Sequence, residues 1–217
     1  MADAVNSRGY DASRRRLKAE ASKDAVLEAA RLLFLERGYA ATSVPSVAAA
    51  AGVSAETVYK AFGPKSGLVR ALWQRALGGQ GPVPAPVRSD ELSGRSGTAK
   101  ELIHGWAKLL AELSPVVSPI SLLVKEAASH DPEMRRLMEE IDSERRSRMR
   151  HNAKRLLARD GVRRGITATA AADVLWIYTS PEFFDLLVLR SGWSVERVAD
   201  FVEDALVRYF VDDTGTP

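Results

Sequence analysis

The sequence predicts an all-α protein: a four-helix N-terminal part and a six-helix remainder, about ten helices in all. Three observations carry this. Polar–Pro pairs recur at Ser114-Pro115, Ser118-Pro119, Asp131-Pro132 and Ser180-Pro181, each offering a cap followed by a residue whose fixed φ suits a first helical turn. Apolar residues fall at helical spacing, and no convincing alternating strand is present. Two short apolar segments, each opened by a serine, flank Gly52, whose backbone freedom suits a tight turn.

The elements follow in order. Residues 1–21 form a basic arm, with Arg14, Arg15, Arg16 and Lys18 ahead of the first helix. Ser22 opens that helix, whose stripe is Val26, Ala29, Ala30, Leu33 and Phe34, and Gly38 stands where a C′ residue belongs. Residues 22–79 form the head and its fourth helix. Between Gly78 and Gly97, eight of 20 residues are Gly or Pro, which predicts a loop over 80–97. The body, 98–217, begins with a capping box, Thr98 with Glu101, before Leu102, Trp106, Leu109 and Leu113. Further helices are expected over 131–160, 168–179 and 194–211. In 131–160 an acidic first half precedes a basic second half, in the order the helix dipole favours. Its arginines read as a solvated face rather than a nucleic-acid surface.

Composition excludes several function classes. The chain has no cysteine, and its three histidines, His104, His130 and His151, are isolated from one another. Neither a disulfide framework nor a metal site is therefore expected, and no cofactor. No run approaches the roughly 18 apolar residues of a membrane span, and the first 20 residues lack the apolar core of a signal peptide, so a cytoplasmic protein is expected. Gly63-Pro64-Lys65-Ser66 is not a full phosphate loop, no nucleophile elbow is present, and the carboxylates of 131–144 are spread around a helix. An enzyme is not expected. Charge is uneven: residues 1–79 carry 12 Lys and Arg against 7 Asp and Glu, and the remainder 19 against 21. A basic head on a near-neutral body hints at nucleic acid.

Residues 42–62 carry that hint further. Ser43 can cap one short helix and Ser54 a second. Ala48 is small where the two must approach, and Val47, Val53 and Val58 are placed to form a miniature core. The outward face of the second helix would present Ala55, Glu56, Thr57, Tyr59 and Lys60, while Val58 and Phe62 point inward. Such a face can meet phosphates and base edges. A plain helical hairpin with a glycine turn is the other reading of the same residues. Glu56 could accept from a cytosine amino group or merely favour the helix N-terminus.

Residues 22–72 resemble the N-terminal domain of TetR-family transcriptional repressors. The matching pattern is Ala29-Ala30, Phe34, Gly38-Tyr39, Thr42-Ser43-Val44, Val47-Ala48, Ala51-Gly52-Val53-Ser54, Thr57-Val58-Tyr59, Phe62, Lys65 and Leu68. Pro64 stands where the family usually has a capping Ser or Asn, and Ser66-Gly67 replaces its usual acidic pair. The resemblance implies a helix-turn-helix reading head, a body that binds a small-molecule effector, and a homodimer on a palindromic operator in double-stranded DNA. It implies phosphate contacts near Ser43, Tyr59 and Lys65. The arm at Arg14, Arg15 and Arg16 either lies along the DNA or is a solubilising tail.

In the body the resemblance implies that the eighth and last helices form the dimer. The last helix offers Val195, Val198, Val202, Leu206 and Tyr209 as a seam. Candidate effector-lining residues are His104, Trp106, Leu110 and Leu123, then Met134, Met138, Trp176 and Phe183. The expectation is a ligand-responsive repressor; the alternative is a helical small-molecule-binding dimer whose helix-turn-helix is only structural.

Overall fold

The computed structural model describes residues 3–79 and 83–212. The chain divides into two compact units, Met1–Leu72 and Trp73–Pro217. The described residues form ten α-helices, the number expected though not at every expected place, and contain no strand, only two isolated β-bridges.

The head holds α1 (Asp3–Ala41), α2 (Val44–Ala50), α3 (Ala55–Phe62) and the start of α4 (Lys65–Gly78). The basic stretch expected as an arm ahead of α1 is part of α1 itself. No Gly or Pro stands between Tyr10 and Arg37, the stretch is rich in Ala, Arg, Lys and Glu, and Arg16 pairs with Glu20 one turn on at 3.2 Å. Ser22 is accordingly not a cap: its hydroxyl donates back to the Lys18 carbonyl at 2.9 Å inside the helix. Gly38, at φ 79 and ψ 170, breaks the helix before a last short turn. Thr42, buried, then donates to the carbonyls of Leu33 and Gly38 at 3.1 and 2.9 Å, so helix-end acceptors are not left empty.

Val26, Ala30 and Phe34 of α1, Val47 of α2, Val58 of α3 and Leu68 of α4 are buried together as the head's core. Each larger side chain contributes about 1.5–3 kcal/mol by its burial. Gly67 is required here by space: a Cβ on it would stand 1.9 Å from the Phe62 carbonyl oxygen.

The body holds α5 (Ala85–Arg95), α6 (Ala99–Ala128), α7 (Pro132–Leu157), α8 (Ala168–Tyr178), α9 (Pro181–Phe184) and α10 (Val195–Phe210). The loop expected over 80–97 is corrected by α5. Its prolines, Pro84 and Pro86, fall at the cap and first turn, where no amide hydrogen is needed, and Gly94 falls in the last turn. Counting Gly and Pro over the window hid their positions. The division between units also falls at Leu72 rather than 79, within α4.

Ser114-Pro115 and Ser118-Pro119 do not start helices. Both prolines lie inside α6, a single helix of 30 residues. Each interior proline costs about 3 kcal/mol. Burial of Leu102, Ile103 and Trp106 before them and Ile120, Leu123 and Val124 after them outweighs that. An 18-residue window of α6 has mean hydropathy 1.5, long and apolar enough by length and composition to cross a membrane, where the sequence reading saw no such run. Part of that apolar surface is buried where α6 packs on α5, α7, α9 and α10.

The Thr98–Glu101 capping box forms as expected. Asp131 caps α7 by accepting from the Glu133 and Met134 amides at 2.8 and 3.2 Å. After α9 the helix widens into a π-helical turn, Asp185–Arg190, in which the Ser191 amide reaches back five residues to the Leu186 carbonyl at 3.2 Å. Gly192, at φ 68, ends it.

Candidate nucleic-acid interface and body cavity

Ser43 and Ser46 close a reciprocal capping box at the start of α2, with backbone–hydroxyl distances of 3.1 and 3.2 Å. The turn after α2 is held by the Val53 amide on the Ala48 carbonyl at 3.0 Å, and Gly52 takes φ 67, which a side chain would resist. Ser54 then caps α3: its Oγ accepts from the Thr57 amide at 3.1 Å and lies 2.8 Å from the Thr57 hydroxyl. With Val47, Ala48 and Val58 buried, α3 is pinned by one side. Val53, expected in the same small core, is only half-buried.

The opposite side of α3 is open. Glu56, Thr57, Tyr59 and Lys60 are exposed and Ala55 is half-buried; Tyr59 keeps 51% of its surface. Ser43 and Ser54 are exposed at the N-termini of α2 and α3, where unpaired backbone amides favour an anion. Arg14 and Arg16 are exposed on α1, and the Arg15 side chain lies outside the described residues. Lys65 is differently placed from a simple surface lysine. It is half-buried, its Nζ donates to the Tyr39 carbonyl at 2.9 Å, and its ammonium lies 4.0 Å from the centre of the Tyr39 ring. Lys65 thus ties the start of α4 to the end of α1.

Within the body a cavity of about 240 Å³ is bounded by α4, α5, α6, α7, α8 and α10. Trp73 and Leu77 reach it from α4, and Trp106, Leu110, Leu113 and Val117 from α6. Leu175, Val202 and Leu206 close its apolar wall. Its polar side is on α7: Glu144, Arg145, Arg148 and Asn152.

Of the eight residues expected to line an effector site, Trp106 and Leu110 line this cavity. Leu123 and Met134 are buried elsewhere, Met134 completely. Met138 and Phe183 are half-buried off the cavity, Phe183 in contact with the Tyr178 and Phe201 rings. Trp176 lies in a separate groove between α7 and α8. His104 is half-exposed and bonded through Nδ1 to Glu203 at 2.9 Å. The sequence reading missed Trp73, Leu77 and Val117. Trp106, Leu110, Leu113 and Val117 recur at three- and four-residue steps, so the α6 stripe was legible, but which neighbour it faced was not.

The basic half of α7 is not simply a solvated face. Arg145 lies with its guanidinium 3.9 Å from the centre of the Trp176 ring and donates to the Trp176 carbonyl at 3.3 Å. Burial pulls its pKa below the ordinary value, against the opposing pull of Asp142 and Glu182. Arg148 binds Asp90 at 2.9 Å. Arg146, Arg150 and Lys154 do remain exposed.

The expected dimer seam also needs correcting. Val198, Val202 and Leu206 are 4, 2 and 4% exposed, so that face of α10 is spent on the chain's own core. Val195 is half-buried and Tyr209 is exposed. Apolar side chains left outside in this part of the body include Ile177 on α8, Leu186 and Leu189 on the π turn, and Phe201 and Tyr209 on α10. Phe201 stacks on Phe183 at 6.2 Å and meets Trp193 edge-on at 5.7 Å.

Residues 26–72 match the family described as bacterial regulatory proteins, tetR family. YvkB of Bacillus subtilis strain 168, an uncharacterised HTH-type transcriptional regulator, is 31% identical over 103 residues, 48% of this chain and 51% of that protein. The chain thus spans about half the length of that relative. Among solved structures, NalD of Pseudomonas aeruginosa, the secondary repressor of the multidrug efflux pump MexAB-OprM, is 22% identical with a TM-score of 0.68, covering 91% of this chain and 100% of that one. SmeT in complex with triclosan is 20% identical with a TM-score of 0.72, covering 90 and 96%; SmeT is the repressor of the Stenotrophomonas maltophilia multidrug efflux pump SmeDEF. At these identities the likeness of the solved structures is one of fold. The sequence match to the tetR family thus covers the head, and along the rest of the chain the likeness is one of fold.

Proposed function

We propose that the protein is a homodimeric transcriptional repressor, released from a palindromic operator in cytoplasmic DNA when a small molecule fills the body cavity. The observation that carries this reading is the α2–turn–α3 unit, capped at both helices, pinned through Val47 and Val58, and open along Glu56, Thr57, Tyr59 and Lys60. That is a reader helix fixed on one side and free to enter a major groove on the other. Ser43, Ser54 and Tyr59 serve phosphates, with Lys65 holding α4 in register beside them. Arg14, Arg15 and Arg16 add a basic flank.

A two-fold operator needs a two-fold reader. Ile177, Leu186, Leu189, Phe201 and Tyr209 supply apolar surface for a second copy, in place of the buried seam. The release step rests on α4, one continuous helix from Lys65 to Gly78 that presents Trp73 and Leu77 to the cavity. An occupant that displaces those two side chains acts on the helix that starts beside α3. Half-site spacing tolerates little change, so DNA and effector compete.

The test is a gel shift of the full chain on the DNA upstream of its own gene, with footprinting of the complex. Protection of two symmetry-related half-sites is expected. No binding to any DNA at low salt would refute the repressor reading and favour a helix-turn-helix that is only structural.

A further inference from the structure

Three buried polar atoms in the body lack a hydrogen-bond partner and belong to residues that line the same cavity: Trp73 Nε1, Trp106 Nε1 and Ser114 Oγ. The three residues are 5, 9 and 8% exposed. An indole N–H can only donate, and a hydroxyl lacking a partner is at least a donor. Folded proteins seldom leave such groups empty, and a concentration of three at one cavity points to what fills it. The other orphaned atoms, the Nε atoms of Arg88, Arg155 and Arg159, belong to residues outside the cavity lining.

Size and charge narrow the occupant. A cavity of about 150 Å³ takes a benzene ring, so about 240 Å³ takes, in proportion, about ten non-hydrogen atoms. The charged wall holds two guanidiniums, Arg145 and Arg148, against one carboxylate, Glu144. Arg148 is held by Asp90, and Arg145 is turned onto Trp176. A cationic ligand would find one carboxylate, Glu144, and would bring more donors to a site already in surplus of them.

Resting on the effector reading of this cavity, we infer that its ligand is a compact apolar ring compound that carries a hydrogen-bond acceptor, such as a ring nitrogen, carbonyl or ether oxygen, and no positive charge. Acceptor atoms meet the indole N–H of Trp73 or Trp106, or the Ser114 hydroxyl, and the ring packs on Leu110 and Val117.

Three ten-atom bicyclic probes separate these features: naphthalene, with no acceptor; quinoline, with a ring-nitrogen acceptor; and protonated tetrahydroisoquinoline, a cation. Calorimetric titration of the full-length protein without DNA is expected to rank quinoline about tenfold or more above naphthalene, as one rescued buried donor implies. The cation should be weakest. Trp73→Phe/Trp106→Phe, with its fold checked by circular dichroism and melting, should bind naphthalene as before and lose the preference for quinoline. Should the double variant fail to fold, the single variants Trp73→Phe, Trp106→Phe and Ser114→Ala replace it, and at least one of them should lose the preference. Equal affinities for quinoline and naphthalene, tightest binding by the cation, no binding by quinoline, or a preference that survives in every folded variant would each overturn the inference. Operator release is read separately by gel shift. Quinoline bound with the expected preference but without release would leave the ligand class standing and refute the release step. Release by probes regardless of acceptor would do the opposite.

Discussion

Phe201 and Val202 are neighbours on α10 with opposite environments, 43 and 2% exposed, so placing Asp at each in turn separates the core from the proposed dimer surface. Val202→Asp removes a buried side chain worth about 1.5–3 kcal/mol and buries a carboxyl in the apolar wall of the cavity, at a cost of several kcal/mol more. Against a total stability of about 5–15 kcal/mol that is enough to unfold the body. Phe201→Asp gives up two ring contacts, with Phe183 at 6.2 Å and Trp193 at 5.7 Å, about 0.5–1.5 kcal/mol each. The chain survives that loss. A second copy docked on the same aromatic would lose about 2 kcal/mol or more, about 30-fold in the dimer dissociation constant. Light scattering over a concentration series reads assembly, and thermal melting by circular dichroism reads folding. The expected pattern is a folded, dissociating Phe201→Asp and an unfolded Val202→Asp. A folded Val202→Asp that dissociates, or a Phe201→Asp that stays dimeric at every concentration, would refute the assignment of the two faces.

Gly67→Ala should destabilise the head by several kcal/mol, because a Cβ standing 1.9 Å from the Phe62 carbonyl forces α3 and α4 apart; a melt identical to wild type would contradict that close approach. Tyr59→Phe should weaken operator binding about tenfold with no change in melting, since the exposed hydroxyl is proposed to meet phosphate, whereas Lys65→Ala should lower both, losing its bond to the Tyr39 carbonyl; anisotropy and melting on the same samples distinguish them. If a dimer engages about eight phosphates, the slope of log K against log salt should be near about −7, and deletion of residues 1–18 should flatten it while the head core, which starts at Val26, stays folded. The Glu101 carboxylate is held below its ordinary 4.5 by the backbone amides of Thr98 and Gly97. Its contribution to the α6 cap is therefore present above pH 4.5 and lost as the pH falls through the lowered value; Glu101→Gln should remove that part of the acid-side fall in melting temperature.

Where local chemistry decides conformation, the residues told the story directly. Ser43, Ser54, Thr98, Asp131 and Ser180 all cap the helices their spacing announced, and Gly38 and Gly52 break the chain where expected. Where packing decides, they did not. Pro115 and Pro119 look like helix starts one turn at a time, yet a long buried face carries α6 straight through them. Pro84 and Pro86 look like a loop by count and like a first turn by position. The stripe on α10 was correctly apolar, but an apolar stripe does not say whether it meets its own chain or a twin; only Phe201 and Tyr209, standing outside it, are left for the proposed partner. The cavity was the least legible, because Trp73, Trp106 and Arg145 come together from three helices far apart in sequence, and no spacing rule connects them.

The π turn at Asp185–Arg190 sets a count as well as a shape. It sits between two fixed points, the Ser180 cap and the Gly192 break. Such a turn holds one residue more than an α-helical path between the same ends. Removing one residue would return the segment to ordinary winding between the same ends, re-aiming the side chains inside it while those outside stay in place. Leu186 and Leu189 would no longer share the outer surface with Phe201. In the proposed dimer, the choice of twin is then written partly in the number of residues between Ser180 and Gly192: a relative one residue shorter, with every side chain otherwise alike, would present a different outer surface and is expected not to pair with this one.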